Sequence, residues 1–349
     1  MGGLSGHMMH PHDNHELTIG QFKSLLTGSM QGVYPMTEKI DGFNIHFMRY
    51  NGEIRFARNG KDILEGGFGQ QDIANRFSND RVRLVFAVAY DMVTKLPVDS
   101  IPEFTETHKT INAEIVVEGT TNIMYYAKTA IIPHNIWIWD GKAGTPCEEI
   151  KNNMVLKYIP MNKGLVRNII NQLTREEFAP LGLTENDSLY DYYATRYAIV
   201  MSEMFPELVR ECPKVLAVLF DRFMGINKTN LREIRKMTTA NINPILDAEK
   251  RIMQVVKEPL DHWVLKIGTA MLEHANGFNS ANHCEYRAAA MLEESIMHAD
   301  KNETFKRRWE YCDNKIFGME GLVVEFGGNL YKFTGPFAPI NQLLGGQRK

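Results

Sequence analysis

Apolar and polar residues alternate with a period of two at several places in the first 140 residues. The clearest runs are Phe43-Asn44-Ile45-His46-Phe47, Glu53-Ile54-Arg55-Phe56 and Ile136-Trp137-Ile138-Trp139. Such alternation predicts half-buried strands. Asn51-Gly52, Asn59-Gly60 and Gly66-Gly67 separate these runs as turn signals. Ile73–Leu96 reads as a helical interruption. From about Pro160 to Trp309 the period becomes helical. Leu189, Tyr192, Tyr193, Tyr197 and Val200 share one helical stripe, and Ile245, Ala248, Ile252, Val255 and Val256 form another. Thr174 with Glu177 matches a capping box. Pro206, Pro213 and Pro244 mark helix ends, and roughly six helices are expected in this block. Strands return after Lys315. Leu322–Phe326, Gly327-Gly328-Asn329 and Leu330–Phe333 read as a tight hairpin.

Strand-rich sequence therefore flanks a helical block. The predicted class is α+β: a domain of antiparallel sheets formed by residues 20–145 and 314–349, with an all-helical domain, 146–313, inserted into it. Exposed loops tolerate such insertions. Residues 1–19 are expected to form an N-terminal arm. His7, His10, His12 and His15 lie in it, and docking or mobility is favoured there over a metal site.

Composition narrows the class further. With 349 residues, the chain can bury a full core without disulfides or metals. Its four cysteines, Cys147, Cys212, Cys284 and Cys312, form no CxxC pair. That spacing argues against a thiolate zinc site or a disulfide framework and fits a reducing, cytoplasmic compartment. Apolar runs such as Leu84–Tyr90 are too short to span a bilayer, and no signal peptide is evident. A net charge of −3 excludes a strongly basic coat but not a local basic groove.

The candidate chemistry centres on Thr37-Glu38-Lys39-Ile40-Asp41-Gly42-Phe43-Asn44. A lysine in a partly desolvated pocket can lose its proton and become a nucleophile. Alone, Lys-x-Asp-Gly is a common turn sequence. An ordered set follows it. Arg58 lies in Ala57-Arg58-Asn59-Gly60-Lys61, and Glu114 is a carboxylate within the apolar run Asn112–Val116. Then come Trp137 and Trp139 before Asp140, Glu320-Gly321-Leu322-Val323-Val324, and Lys332 in Tyr331-Lys332-Phe333.

This order resembles the covalent nucleotidyltransferase superfamily of ATP-dependent DNA ligases, RNA ligases and mRNA capping enzymes. The resemblance covers residues 1–140 and 315–335 and leaves the helical block unexplained. It implies that Lys39 takes up a nucleoside monophosphate from ATP, with Mg²⁺ or Mn²⁺ as cofactor. Arg58 would hold ribose and phosphate, and Glu114 would accept from a ribose hydroxyl. Trp139 or Trp137 would stack on the purine, and Glu320 would bind the metal. Lys332 would act on the α-phosphate as a second catalytic group. Glu38 and Asn44 complete the implied nucleotide site.

Asn44 stands where DNA ligases of this superfamily carry arginine, so the motif is closer to phage-type RNA ligases. The positions two away from Lys332 are Leu330 and Thr334, where a second lysine is usual. Lys61 and Lys315 are possible substitutes. No C-terminal oligonucleotide-binding barrel is expected. The Gly-His-Met-x-His-Pro opening and the Thr334–Gln342 tail also resemble ligase-like proteins of tailed phages, which implies a host cytoplasm. The resulting expectation is an ATP-dependent polynucleotide ligase working through lysyl-AMP. Its partners would be nicked or single-stranded nucleic acid ends, RNA favoured over DNA, with no membrane. The basic spots Arg232-Arg235-Lys236 and Lys306-Arg307-Arg308 are read as solvated helix faces. The alternatives are transfer to a protein or small-molecule acceptor, and a non-catalytic, virion-associated nucleotide binder.

Overall fold

The computed structural model describes residues 8–95, 109–118, 125–126, 128–139, 144–149, 158–275, 283–285 and 319–335. Asp140, Lys315, the 306–308 basic spot and the tail from residue 336 onward lie outside them. The chain is a mixture of helix and antiparallel sheet. It divides into two compact units: Met1–Met9, Tyr34–Ile159 and Gly268–Lys349 form one, His10–Val33 and Pro160–Ile267 the other.

The first unit holds two principal sheets. β1 (Met36–Lys39), β9 (Gly321–Phe326) and β10 (Asn329–Thr334) form a three-stranded sheet in the order β1-β9-β10. A five-stranded sheet is built from β2 (Phe43–Tyr50), β3 (Glu53–Ala57), β4 (Lys109–Val116), β6 (Ala130–Trp139) and β7 (Gly144–Glu149), in the order β3-β2-β4-β6-β7. The short β5 (Tyr125–Tyr126) pairs with β8 (His283–Glu285). The predicted tight hairpin forms, and the Asn51-Gly52 turn signal also closes a hairpin between β2 and β3. Asn51 and Gly52 adopt φ of 51° and 81°, and Gly327 and Gly328 adopt 58° and 76°. Positive φ at both central residues gives the turn the twist of its flanking strands.

The stretch read as one helix over Ile73–Leu96 is broken. α2 (Gly60–Leu64), α3 (Gln70–Arg76) and α4 (Asp80–Thr94) are separate. Phe77 is extended, and Asn79 caps α4 by accepting from the N–H groups of Arg81 and Val82 at 3.0 and 3.2 Å. The break lets Phe77 stack on Phe86 with centroids 4.7 Å apart. Val85, Phe86, Ala89 and Val93 of α4 then pack on Ile45, Phe47, Ile111, Ala113, Ile115 and Ile136. Each of those sheet residues alternates with a neighbour on the opposite face. That opposite face carries Asn44, His46, Thr110, Asn112 and Glu114. His46, Thr110 and Asn112 are buried on it, although a sheet face of this composition would ordinarily meet water.

The second unit is helical. It contains α1 (Ile19–Met30), α5 (Lys163–Leu173), α6 (Leu189–Met204), α7 (Pro206–Glu211), α8 (Pro213–Phe223), α9 (Leu231–Lys236), α10 (Asn243–Asp247) and the residues of α11 (Glu249–His274) up to Ile267. The predicted stripe on α6 is buried at all five positions. Prolines open α7, α8 and α10, where the missing N–H costs nothing. The Thr174–Glu177 pair is not a cap. Asn162 caps α5, and Thr174 continues that helix as a π-helical turn, its hydroxyl donating to the Ile170 carbonyl at 2.8 Å. Glu177 instead accepts from the Tyr192 hydroxyl at 2.8 Å and the Trp263 indole at 3.3 Å.

The histidine-containing segment is docked on these helices. Tyr193 donates to the His12 carbonyl at 2.8 Å, and Leu189 N–H donates to the Leu17 carbonyl at 2.8 Å. On α9, Arg235 donates to Asn243 and Lys236 to Glu233. Among the described residues no helix is long and apolar enough to cross a membrane.

Candidate functional site

Lys39 closes β1, and Phe43 opens β2, which belongs to the other principal sheet. The Lys-x-Asp-Gly segment is thus a crossover between sheets and not a hairpin. Strand register explains which side chains meet. Thr37 pairs with Val323, which pairs with Lys332, and Lys39 pairs with Gly321, which pairs with Thr334. Alternation puts Lys39 and Lys332 on one face of the three-stranded sheet. Glu38 pairs with Leu322 on the opposite face, where it is buried. Lys332 also donates its backbone N–H to the Met9 carbonyl at 2.9 Å.

Glu320, the residue before β9, is paired with the Lys39 ammonium through Oε2. Asn44 and Glu114 are directly opposite on β2 and β4. Asn44 donates its side-chain amide to Asn112 at 2.8 Å, while Glu114 Oε2 is buried with no hydrogen-bond partner. Arg58 follows β3. Its backbone N–H donates to the buried Asp62 carboxylate at 2.8 Å, which Arg76 also holds. Its guanidinium lies 5.7 Å from the Phe86 ring centroid. Trp137 is buried, with its ring edge-on to His46 at 5.9 Å. For Trp139 only the backbone is described, paired with Gly144. Lys61 is exposed beside Glu65 at 3.6 Å.

Electrostatics ties these groups together. Burial pulls the Lys39 ammonium toward losing its proton, but Glu320, Glu114 and Asp41 outweigh it and leave the pKa raised. Burial raises the Glu320 carboxyl to about 7; Asp41 adds to this, and Lys39 and Lys332 oppose it. Burial raises Glu114 to about 8, with Glu320 and Asp41 assisting and Lys39 opposing. Arg58 is lowered by burial first, and then by Arg76; Asp62 and Glu114 oppose the shift. The cluster therefore places two lysines among three carboxylates in a poorly hydrated setting.

Two members carried no sequence signal. A bulge between Asn112 and Ala113 leaves His134 as the extra residue of β6. Burial, and then the charge of Lys39, depresses its imidazole to about 4. His46 reads as an ordinary strand residue in sequence and proves fully buried. Asp41, visible in the motif, is buried and bears on all three charged partners.

Among the described residues no group of three or more His, Cys, Asp or Glu side chains is arranged to hold a metal. Carboxylate oxygens suit Mg²⁺ or Mn²⁺. Magnesium commonly takes only one or two carboxylates and completes its shell with substrate phosphates and water. Glu320 offers one such carboxylate.

Gly42 lets the chain entering β2 pass close to β4. A Cβ there would fall 2.7 Å from the Ile115 carbonyl oxygen and 2.9 Å from Glu114 Oε2. Gly42→Ala is expected to displace Glu114 and to cost about 1–3 kcal/mol of stability, measured by denaturant unfolding. A pH effect follows from Glu114 as well. Its folded pKa of about 8 exceeds the ordinary 4.5. Its contribution to stability is therefore full below about 4.5 and is lost as pH rises through about 8. Glu114→Gln should flatten the melting temperature across that window in nucleotide-free protein. A profile as steep as that of the wild type would refute the assignment.

No protein-family model, no curated protein and no solved structure matches this chain.

Proposed function

We propose that the chain is an ATP-dependent nucleotidyltransferase of the polynucleotide-ligase type, with Lys39 as the nucleophile. One observation carries the reading: a half-buried lysine is held among carboxylates, two of which, Glu114 and Glu320, come from distant stretches of sequence. Such a lysine has few purely structural uses, because ion pairs of this kind stabilise a fold little after desolvation.

In the first step the neutral Lys39 amine attacks the α-phosphorus of ATP. A P–N bond forms, the bond to pyrophosphate breaks, and pyrophosphate leaves with the electron pair. Lys39 must first give up a proton, and Glu320, with a carboxyl pKa near neutrality, is placed to receive it. Lys332, on the same sheet face, offsets charge developing on the non-bridging oxygens. Mg²⁺, held by Glu320 and the triphosphate, would supply further positive charge there. The AMP then passes to a 5′-phosphate end, and attack by a 3′-hydroxyl expels it. Splitting the reaction this way turns a poor leaving group into a good one.

The test is covalent labelling with α-labelled ATP and Mg²⁺. A labelled protein band is expected, and its absence with both ATP and GTP overturns the reading. Adding nicked RNA, nicked DNA and single strands to the labelled protein then identifies the acceptor. The near-balanced charge of the helical block favours a second reading in which AMP moves to an acceptor other than nucleic acid. Label that no strand removes would support it.

A further inference from the structure

The polar face of the five-stranded sheet presents a row of buried atoms without hydrogen-bond partners: Asn44 Oδ1, His46 Nε2 and Glu114 Oε2. Asn44 and Glu114 face each other across β2 and β4, and His46 lies two residues further along β2, opposite Asn112. Leaving such atoms unpaired destabilises the fold. A row of them on one face marks a place where a ligand supplies the missing partners.

The chemistry of the row defines the ligand. Asn44 Oδ1 is an acceptor, and a carboxyl oxygen of Glu114 stands opposite it. The His46 imidazole is neutral, since burial pushes its pKa down to about 3. Its Nδ1 lies 3.1 Å from the Thr110 hydroxyl oxygen. With the proton on Nδ1 donated to Thr110, Nε2 is a bare acceptor. Asn44 Oδ1 and His46 Nε2 then call for donors on the ligand. Adenosine has them: two ribose hydroxyls and the 6-amino group. Guanosine carries a carbonyl at position 6, which would set acceptor against acceptor.

Position along the sheet orders the contacts. Asn44 and Glu114 lie toward Lys39, where phosphate and ribose would sit. His46 lies toward Trp137, whose ring meets it edge-on with an interplanar angle of 80°. A base beside Trp137 would bring its edge to this imidazole.

Resting on the nucleotidyltransferase reading above, we propose that His46, oriented by Thr110, accepts a hydrogen bond from the 6-amino group of adenine and makes the site select ATP over GTP.

The experiment compares equilibrium binding of ATP, GTP and purine riboside triphosphate, which lacks the 6-amino group. Full-length wild type and His46→Leu, His46→Gln and Thr110→Val variants are measured with Mg²⁺. Wild type should bind ATP about tenfold more tightly than the analogue lacking the amino group, the worth of one buried hydrogen bond. His46→Leu should bind the two alike. His46→Gln, which keeps an acceptor, should recover part of the difference. Thr110→Val should weaken discrimination without removing a direct contact, and it tests the idea separately if His46→Leu does not fold. Discrimination unchanged in His46→Leu or in Thr110→Val would overturn the inference alone, and would assign Nε2 to a buried water. A wild type that binds no nucleotide would instead overturn the reading on which it rests.

Discussion

Lys39→Ala is expected to give no covalent nucleotide adduct under conditions that label the wild type. The argument is one of placement. Lys39 reaches the cluster because β1 ends there and the chain crosses to β2 through only three residues. Its counter-charges, Glu320, Glu114 and Asp41, surround it. Among the described residues no other amine is placed to substitute. Lys332 lies on the same face, but its register partner is Val323, two positions from Gly321. Lys61 is out in solvent. Lys39→Arg should fail as well, because a guanidinium stays protonated and cannot attack. Mass spectrometry of the intact protein after incubation with ATP measures this. An adduct of AMP mass retained in Lys39→Ala would remove the proposed nucleophile.

Glu320→Ala is the second large effect. It should lower the rate of adduct formation by a factor on the order of 10² or more, the scale for losing one preorganised charge at a transition state. Two roles are lost at once: a proton acceptor for Lys39, and an oxygen for the divalent ion. Glu320→Gln separates them, since the amide keeps the shape and one neutral oxygen but accepts no proton. If proton acceptance dominates, the Gln variant should recover rate as pH is raised, because hydroxide then removes the Lys39 proton. If the metal role dominates, raising Mn²⁺ should recover rate instead. Removal of Glu320 also strips the largest opposing charge from Lys39, so its pKa should fall. Labelling at the wild-type rate in both variants would mean that the carboxylate takes no part.

Several elements were legible because they depend on neighbours in sequence. The Asn51-Gly52 and Gly327-Gly328 turns are set by local backbone freedom, and both formed as hairpins. Lys39, Glu114 and Glu320 could be nominated from order along the chain, and two of the three are joined directly in space. The break in the Ile73–Leu96 helix was less legible. Its apolar spacing continues through Phe77, and the packing of that ring on Phe86 and Phe68, with the Asn79 cap of α4, favours an extended residue there. The Thr174–Glu177 signal failed for a related reason: a capping box can also be written inside a continuing helix, where the hydroxyl bonds backward to Ile170.

By itself, the order of residues determined the alternating strands, the stripe on α6, the tight turns and the presence of the Lys-x-Asp-Gly motif. These rest on periods of two and 3.6 residues and on glycine's access to positive φ, which are local properties. The stripe predicted over Ile245–Val256 is instead divided between α10 and α11, with Val255 exposed. Only the tertiary structure decided that the carboxylate bonded to Lys39 lies 281 residues away, that Glu38 turns to the opposite sheet face, and that a bulge carries His134 toward the lysine. It alone decided that His46 is buried on a polar face. Period-two alternation assigns residues to two faces but does not say which face a helix will cover. Register between distant strands is fixed by pairing across the whole sheet, and no short window of sequence contains it.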